Sequence, residues 1–271
     1  MPTHLQRAKG RAEAGLSARS GRTRLDHLAQ SGSAKVFLPR TPGAPEVVFL
    51  NTAGGLTGGD AMRFEVTLGP GAEALATTQT AERAYRASAG AAPAAMSVRL
   101  SAGAGARLDW LPQETILYDG ASLARETEAT LAGDAEFLMC EAVVLGRAAM
   151  GETLDSLDFE DRRVVRRDGR PVLIDAVQVD GEVLRRRDAV AGLAGARAFG
   201  LLAFFSRGAE DATDGLRGLM PQPGVRAEVS GWDGRTIVRL LADDGWPLRV
   251  ALARLIRHLR PDGAVPRVWQ I

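Results

Sequence analysis

The sequence predicts a mainly β protein: a layered β-sheet or β-helix-like single domain with about two α-helices in its C-terminal third. Three observations predict this fold class. The middle of the chain contains a repeat of about 30 residues, two Asp-Gly pairs sit between strand-like runs, and helical apolar spacing occurs near the C-terminus. A chain of 271 residues can bury a sizeable core. We expect one domain over 1–271, with 1–12 as a candidate disordered segment.

The repeat consists of three strand–turn–strand units in which a leucine precedes a glycine-containing turn. Leu68, Leu100 and Leu131 align at spacings of 32 and 31 residues. Units that cannot bury an apolar face alone do so by stacking on copies of themselves. We therefore expect stacked β-structure from about residue 45 to residue 180.

Hairpins and helices follow the repeat. Asp168-Gly169 and Asp233-Gly234 each separate two strand-like runs, which is a strong hairpin signal. We interpret residues 198–205 as a strand. Acidic residues in its opening turns favour a helix over 209–219. A second helix is predicted after Asp243 or Asp244, with apolar positions on one face: Leu248, Leu252, Leu255 and Leu259.

Composition narrows the function classes. The net charge of +1 argues against a dedicated nucleic-acid binder. The sequence has no apolar run long enough for a membrane span, so we expect no membrane partner. The lone cysteine, Cys140, fits a reducing compartment, and we expect a cytoplasmic protein. Three scattered histidines and one cysteine do not give the spacing of a zinc-type cluster, so no high-affinity metal site is predicted.

The loop 51–60 places two glycine pairs ahead of an acid. The glycines are Gly54, Gly55, Gly58 and Gly59, and the loop ends on Asp60. A phosphate-binding loop would need a lysine where Asp60 stands, and a strand-like run follows instead of a helix. Glycine is used where the backbone needs positive φ or approaches another chain closely. We interpret the pairs as structural, at the centre of the fold or at a protein contact.

Three further acids are candidates for chemistry. Glu114 and Asp119 lie in an otherwise apolar segment, and Glu141 interrupts the apolar run 137–145. A buried ionised carboxylate is costly unless it meets a partner, a metal or water. Each acid therefore pairs with an arginine, is protonated, or lines a wet passage.

Two alternative functions use the same residues. Glu114 and Asp119 could form the carboxylate pair of a β-helical glycoside hydrolase, although aromatic residues are only 5% of the chain. Residues 54–62 loosely match a calcium-binding nonapeptide, which would indicate a calcium-binding or purely structural β module. Neither a catalytic triad nor a G-x-S-x-G element can be assigned, and we expect no catalytic residue.

The order of several motifs resembles the UreD (UreH) family of urease accessory proteins. The loop 51–60 is followed by Leu-Gly-Pro-Gly-Ala at 68–72, Thr-Thr-Gln-Thr-Ala-Glu at 77–82, Trp-Leu-Pro-Gln-Glu-Thr-Ile at 110–116 and Leu-Gly-Arg at 145–147. The resemblance extends over essentially the full length. The chain departs from many relatives at Asn51-Thr52-Ala53, where they are proline-rich, and at Arg83, where they have lysine.

The resemblance implies a non-enzymatic maturation factor. Such proteins bind the urease apoprotein and, with the helical partner UreF and the GTPase UreG, assist GTP-dependent insertion of nickel into the urease active site. The resemblance also implies an internal water-filled passage for nickel. We hypothesise that it is lined by Asp60, Glu114, Asp119 and Glu141, because oxygen ligands hold Ni²⁺ weakly enough to release it. Nickel would then be a transient cargo rather than a tightly bound cofactor.

Overall fold

The chain folds into two β-sheets packed face to face, as seen in a computed structural model that describes residues 6–147, 150–220, 222–260 and 262–270. The strands are β1 (Lys9–Arg19), β2 (Arg22–Gly32), β3 (Ala34–Phe37), β4 (Glu46–Asn51), β5 (Ala61–Leu68), β6 (Glu73–Thr78), β7 (Glu82–Ala84), β8 (Ala94–Ala102), β9 (Arg107–Trp110), β10 (Thr115–Leu117), β11 (Ala121–Leu131), β12 (Glu136–Leu145), β13 (Leu157–Arg167), β14 (Arg170–Asp180), β15 (Ala198–Phe205), β16 (Val225–Trp232) and β17 (Arg235–Ala242).

The seven-stranded sheet has the order β14-β13-β11-β8-β5-β1-β2. The main path of the ten-stranded sheet is β16-β17-β15-β12-β9-β6-β4-β3, and β10 pairs with β12 and β7 beside it. The chain crosses from one sheet to the other at each turn of the repeat, and the central strands of each sheet run parallel. The β-helix-like prediction is therefore confirmed.

The stacked structure is longer than we expected from the sequence. Instead of 45–180, the sheets extend from β1 to β17, that is from Lys9 to Ala242. Residues 9–12 of the candidate disordered segment pair in β1, and residues 1–5 lie outside the described residues. The sequence alignment of the repeat is also two residues off in its middle copy, because Ala102, not Leu100, pairs with both Leu68 and Leu131. A shift of two keeps every side chain on its face, so the leucines are all buried as expected.

Both hairpins are confirmed. Asp168 and Gly169 have φ of 49° and 78°, and Asp233 and Gly234 have φ of 45° and 73°, which are the positive values that a two-residue I′ turn requires. The strand at 198–205 is β15.

The two longer helices are confirmed as well. A short helix that we did not predict, α1 (Gly181–Arg185), follows β14. A 3₁₀ turn over Ala209–Asp211 leads into α2 (Ala212–Leu219). The last helix, α3 (Gly245–Leu259), begins after Asp244, whose carboxylate accepts a hydrogen bond from the Gly245 amide at 2.6 Å. Among the described residues, no helix is long and apolar enough to cross a membrane.

The core has two parts. Between the sheets lie large buried aromatic side chains: Phe49, Phe64, Trp110, Phe137, Phe159 and Phe205. On the other side of the ten-stranded sheet, α3 packs Leu248, Leu252 and Leu255 against the strands. Each fully buried side chain of this size stabilises the fold by roughly 1.5–3 kcal/mol. For each strand of the ten-stranded sheet, the residues that belong to the first part mark the face that points between the sheets.

Candidate functional site

Glu141 points into the space between the two sheets. Along β12, Phe137, Met139 and Val143 belong to the core between the sheets. The even-numbered residues from Leu138 to Ala142 belong to the core on the side of the helices. The alternation of a strand therefore carries Glu141 inward, where its side chain is 3% exposed. Its carboxylate accepts a hydrogen bond from Trp110 Nε1 at 2.9 Å and lies 2.9 Å from Arg125 Nη1. Pairing with an arginine, one of the alternatives for this acid, is thus confirmed.

Arg125 begins a row of paired charges that leads away from Glu141. Its Nε donates to Asp161 Oδ1 at 3.1 Å, and Asp161 also accepts from Arg163. Arg163 Nη1 in turn donates to Asp175 Oδ2 at 2.6 Å. We call Glu141, Arg125, Asp161, Arg163 and Asp175 the buried ion row.

At its outer end the buried ion row reaches Arg239, which is largely exposed and donates to Asp175 Oδ1 at 2.7 Å. At its inner end Arg125 Nη1 also donates to Thr115 Oγ1 at 2.9 Å. Burial alone would lower the pKa of Arg125, but the charges of Asp161 and Glu141 raise it. Each buried charge thus has a partner of opposite sign, the condition under which charges persist in a protein interior.

The sequence indicated Glu141 but not Asp161, Arg163 or Asp175. Glu141 is visible because it interrupts an apolar run. Asp161 and Arg163 sit in a run of charged residues that looks solvent-exposed as a whole. The available signal is alternation: Phe159, Asp161, Arg163 and Val165 share one face of β13, and both apolar members of that set are buried.

Asp60 fastens the glycine loop. Its Oδ1 accepts the amide of Ala8 at 2.8 Å, and its Oδ2 accepts the amide of Thr57 at 2.9 Å. The carboxylate is buried and ties the loop to the segment before β1. Both carboxylate oxygens of Asp60 are therefore bound by backbone amides, and Asp60 makes no contact with the buried ion row.

The four glycines of this loop fall into two pairs with different geometry. Gly54 and Gly59 have φ of 79° and 85°, which L side chains rarely adopt. Gly55, which also has a positive φ of 156°, and Gly58 are close approaches. A Cβ on Gly55 would lie 2.3 Å from the Tyr85 ring, and one on Gly58 would lie 2.9 Å from the side chains of two alanines. The loop shape depends on glycine at each of these positions.

Asp119 organises the turn between β10 and β11. One oxygen accepts the amides of Asp155 and Ser156 at 2.9 Å each, and the other pairs with Arg86. The Ser156 amide is the main cause that holds the pKa of Asp119 below its usual value. Both oxygens of Asp119 are therefore occupied, one by backbone amides and the other by Arg86.

Glu114 lies on the side of the ten-stranded sheet that faces α3. Its Oε2 is 3.2 Å from Nη1 of Arg249 on that helix, and the same guanidinium donates to the carbonyl of Trp269 at 2.9 Å. The next residue, Thr115, points the other way, to Arg125. The four acids named from the sequence therefore occupy separate places, with Glu141 alone in the buried ion row. Within the described ranges, no group of three or more His, Cys, Asp or Glu side chains could hold a metal ion.

The chain passes back and forth between two sheets, and paired charges lie between them. These features define a β-solenoid-like protein with the buried ion row in its core. A family model described as UreD urease accessory protein matches residues 8–270. The chain is 52% identical to the urease accessory protein UreD of Paracoccus denitrificans over 100% of this chain and 95% of that protein. Identity to the protein of the same name from Rhizobium rhizogenes is 45%, over 99% and 97%.

The chain belongs to the UreD family of urease accessory proteins. It is a urease maturation factor involved in nickel insertion, and it is not itself an enzyme. The resemblance drawn from the sequence motifs is confirmed, and the glycoside hydrolase and calcium-module alternatives are set aside.

Proposed function

We propose that this chain binds the urease apoprotein together with UreF-like and UreG-like proteins, and that Ni²⁺ passes through its interior during GTP-dependent insertion. The observation that carries the proposal is the position of Glu141, a carboxylate held between the sheets among polar groups of Trp110, Arg125 and Thr127. The match over residues 8–270 supports treating the chain as one UreD-like domain. The lone cysteine supports action in the cytoplasm.

The chemistry of the proposed route follows from the pairing. A divalent cation reaching Glu141 must compete with Arg125 for the carboxylate, so its residence there is short. Asp161 and Asp175 continue the set of interior carboxylates toward β14. Weak binding at several successive sites is what a conducting route requires.

The other three acids take different places in the proposal. Asp60, Glu114 and Asp119 would serve parts of the route outside the space between the sheets. Their amide and arginine contacts equally support a role in holding the surrounding loops. The glycine loop is proposed to have a structural role.

The proposal is tested by Glu141→Gln in a reconstitution with urease apoprotein, the two accessory proteins, GTP and Ni²⁺. Glutamine keeps the shape of the side chain and removes its charge. We expect the assembly to form, as judged by size-exclusion chromatography, and the nickel content of urease to fall by about tenfold. The matched control is Glu126→Gln, the same change at a surface ion pair with Arg99, which should leave nickel content unchanged. Normal activation by the double variant Glu114→Ala/Glu141→Ala would contradict the route.

A further inference from the structure

At the edge formed by the C-terminal strands, the ten-stranded sheet extends one strand beyond the seven-stranded sheet. Arg125 on β11 contacts Glu141 on β12, so these strands face each other. Further along, Arg239 on β17 pairs with Asp175 on β14, and Arg235 on β17 donates to the Val172 carbonyl on β14 at 2.9 Å. β14 thus lies over β17 and ends its sheet, while the other sheet continues to β16. Within the described part of the chain, no strand lies over β16.

The inward face of β16 is exposed as a consequence. Val225, Ala227 and Val229 pack toward the helices. The alternating residues Arg226, Glu228, Ser230 and Trp232 face the opposite way and are exposed. Trp232, a large aromatic side chain, is 41% exposed. Tryptophan and arginine are enriched at protein–protein interfaces while glutamate and serine are depleted there, so the exposed Trp232 is the feature of this face that indicates a partner.

The neighbouring edge of β14 is open to hydrogen bonding. Its start is guarded by Pro171 and by the register shift opposite Arg166, devices that discourage strand pairing. From Ile174 to Gln178 the edge carries neither proline nor lysine, and Ile174 is 62% exposed. Among the described strands, β14 pairs with β13 alone. An edge of this kind is a template for another extended chain.

A cavity of about 460 Å³ lies between this edge and β16. Its apolar lining includes Val177, Phe199 and Leu241. Arg163, the fourth member of the buried ion row, forms part of the wall, and its side chain is 3% exposed. Arg163 Nε is buried and has no hydrogen-bond partner among the described residues. An unpaired buried donor costs about 1–3 kcal/mol, so the cavity favours an occupant that brings an acceptor oxygen.

We propose that one extended segment of another polypeptide adds to the edge of β14 and takes the missing place over β16. An aliphatic side chain of the segment enters the cavity, and an oxygen atom of the segment accepts a hydrogen bond from Arg163. A base of the segment meets Glu228, and an acid two residues away meets Arg226, whose Nη2 in the free chain donates to the Ala194 carbonyl at 2.9 Å. This is recognition by strand addition, in which main-chain bonds give affinity and pockets for alternate side chains give specificity.

The geometry favours a lone segment over a second copy of this chain. A copy paired edge to edge through β14 would bring its own β17 beneath its β14, and β16 of the first copy already occupies that position. A single strand without a second layer meets no such obstacle. Once bound, it would also cover Asp175 and Arg163 at the outer end of the buried ion row.

The segment belongs to a protein of the urease assembly, so this inference rests on the proposed function. The experiment is amide hydrogen exchange on the full chain, alone and in complex with purified urease apoprotein and the UreF-like protein. We expect alternate amides from Ile174 to Val179 to exchange at least about tenfold more slowly in the complex. Strand β2, at the other edge of the same sheet, is the internal comparison.

Two variants test the same contact by affinity. Val177→Glu places a charge in the apolar cavity, and Glu228→Arg reverses an exposed charge without touching the core; each should weaken assembly by about tenfold. Leu28→Glu, at an exposed position on β2, is the matched control and should assemble normally.

Normal assembly by Glu228→Arg together with unchanged exchange at β14 overturns the inference while the proposed function stands. Protection of β14 in the chain alone that grows with its concentration also overturns it, since the occupant is then a second copy. A wild-type chain that binds none of these proteins overturns both proposals.

Discussion

Arg125→Met is expected to lower the free energy of unfolding by about 3–5 kcal/mol, because it leaves Glu141 and Asp161 buried without their shared partner. Methionine retains much of the volume of the arginine stem, so the main change is the loss of the charge and its hydrogen bonds. The measurement is urea denaturation at neutral pH, with the slope of the transition checked against the wild type.

Arg162→Met provides the control for this substitution. Arg162 neighbours the same region of the sheet but pairs with Glu126 at the surface, where it is 51% exposed. Surface ion pairs contribute at most about 1 kcal/mol, so this variant should unfold close to the wild type. Equal losses for the two variants would show that the buried ion row is hydrated and contributes no more than a surface pair.

Asp109→Asn is expected to change how stability depends on pH. Asp109 lies on the side of β9 that faces away from the core between the sheets, and one of its oxygens is buried without a hydrogen-bond partner among the described residues. Burial raises the pKa of Asp109 to about 6, an increase that the nearby charges of Arg107 and Arg260 only partly offset.

The sign of the effect follows from the raised pKa. The folded state holds the proton more tightly than the unfolded state, so the stability that Asp109 contributes is complete below about pH 3.8 and is lost as pH rises through 6. Relative to the protonated group, the loss at neutral pH is roughly 3 kcal/mol. The asparagine variant cannot undergo this loss.

The difference in unfolding free energy between Asp109→Asn and the wild type should therefore shift by about 2.5 kcal/mol in favour of the variant between pH 4 and pH 7.5. Urea denaturation of both proteins across that range measures it. A difference that stays constant with pH would mean that the pKa of Asp109 is the same in the folded and unfolded states, so that its two arginines compensate its burial fully.

Much of the fold could be predicted because its signals are local. The Asp-Gly turns and the capped C-terminal helix each depend on a few neighbouring residues, and both are confirmed. The leucine repeat locates the stacked units, although its middle copy is two residues out of register. The first strands could not be predicted in this way. β2 is exposed along almost its whole length and has no apolar alternation, so its pairing with β1 carries little sequence signal.

The site was less predictable because it is assembled from distant strands. An acid in an apolar run reveals burial, as Glu141 does, but it does not reveal which arginine it meets. Arg125 reaches both Glu141 and Asp161 only after β11, β12 and β13 have stacked. Asp60 and Asp119 looked equally suited to bind a cation, yet both oxygens of Asp60 and one oxygen of Asp119 accept from backbone amides, which a sequence does not display.

Cells that make urease with and without this chain provide the most direct measurement. Nickel per urease active site, determined on the purified enzyme, and urea hydrolysis by the cells should both fall to background without the chain and recover when it is restored. Urease purified with its full nickel content from cells that lack the chain, together with unimpaired urea hydrolysis, would contradict its role as a maturation factor.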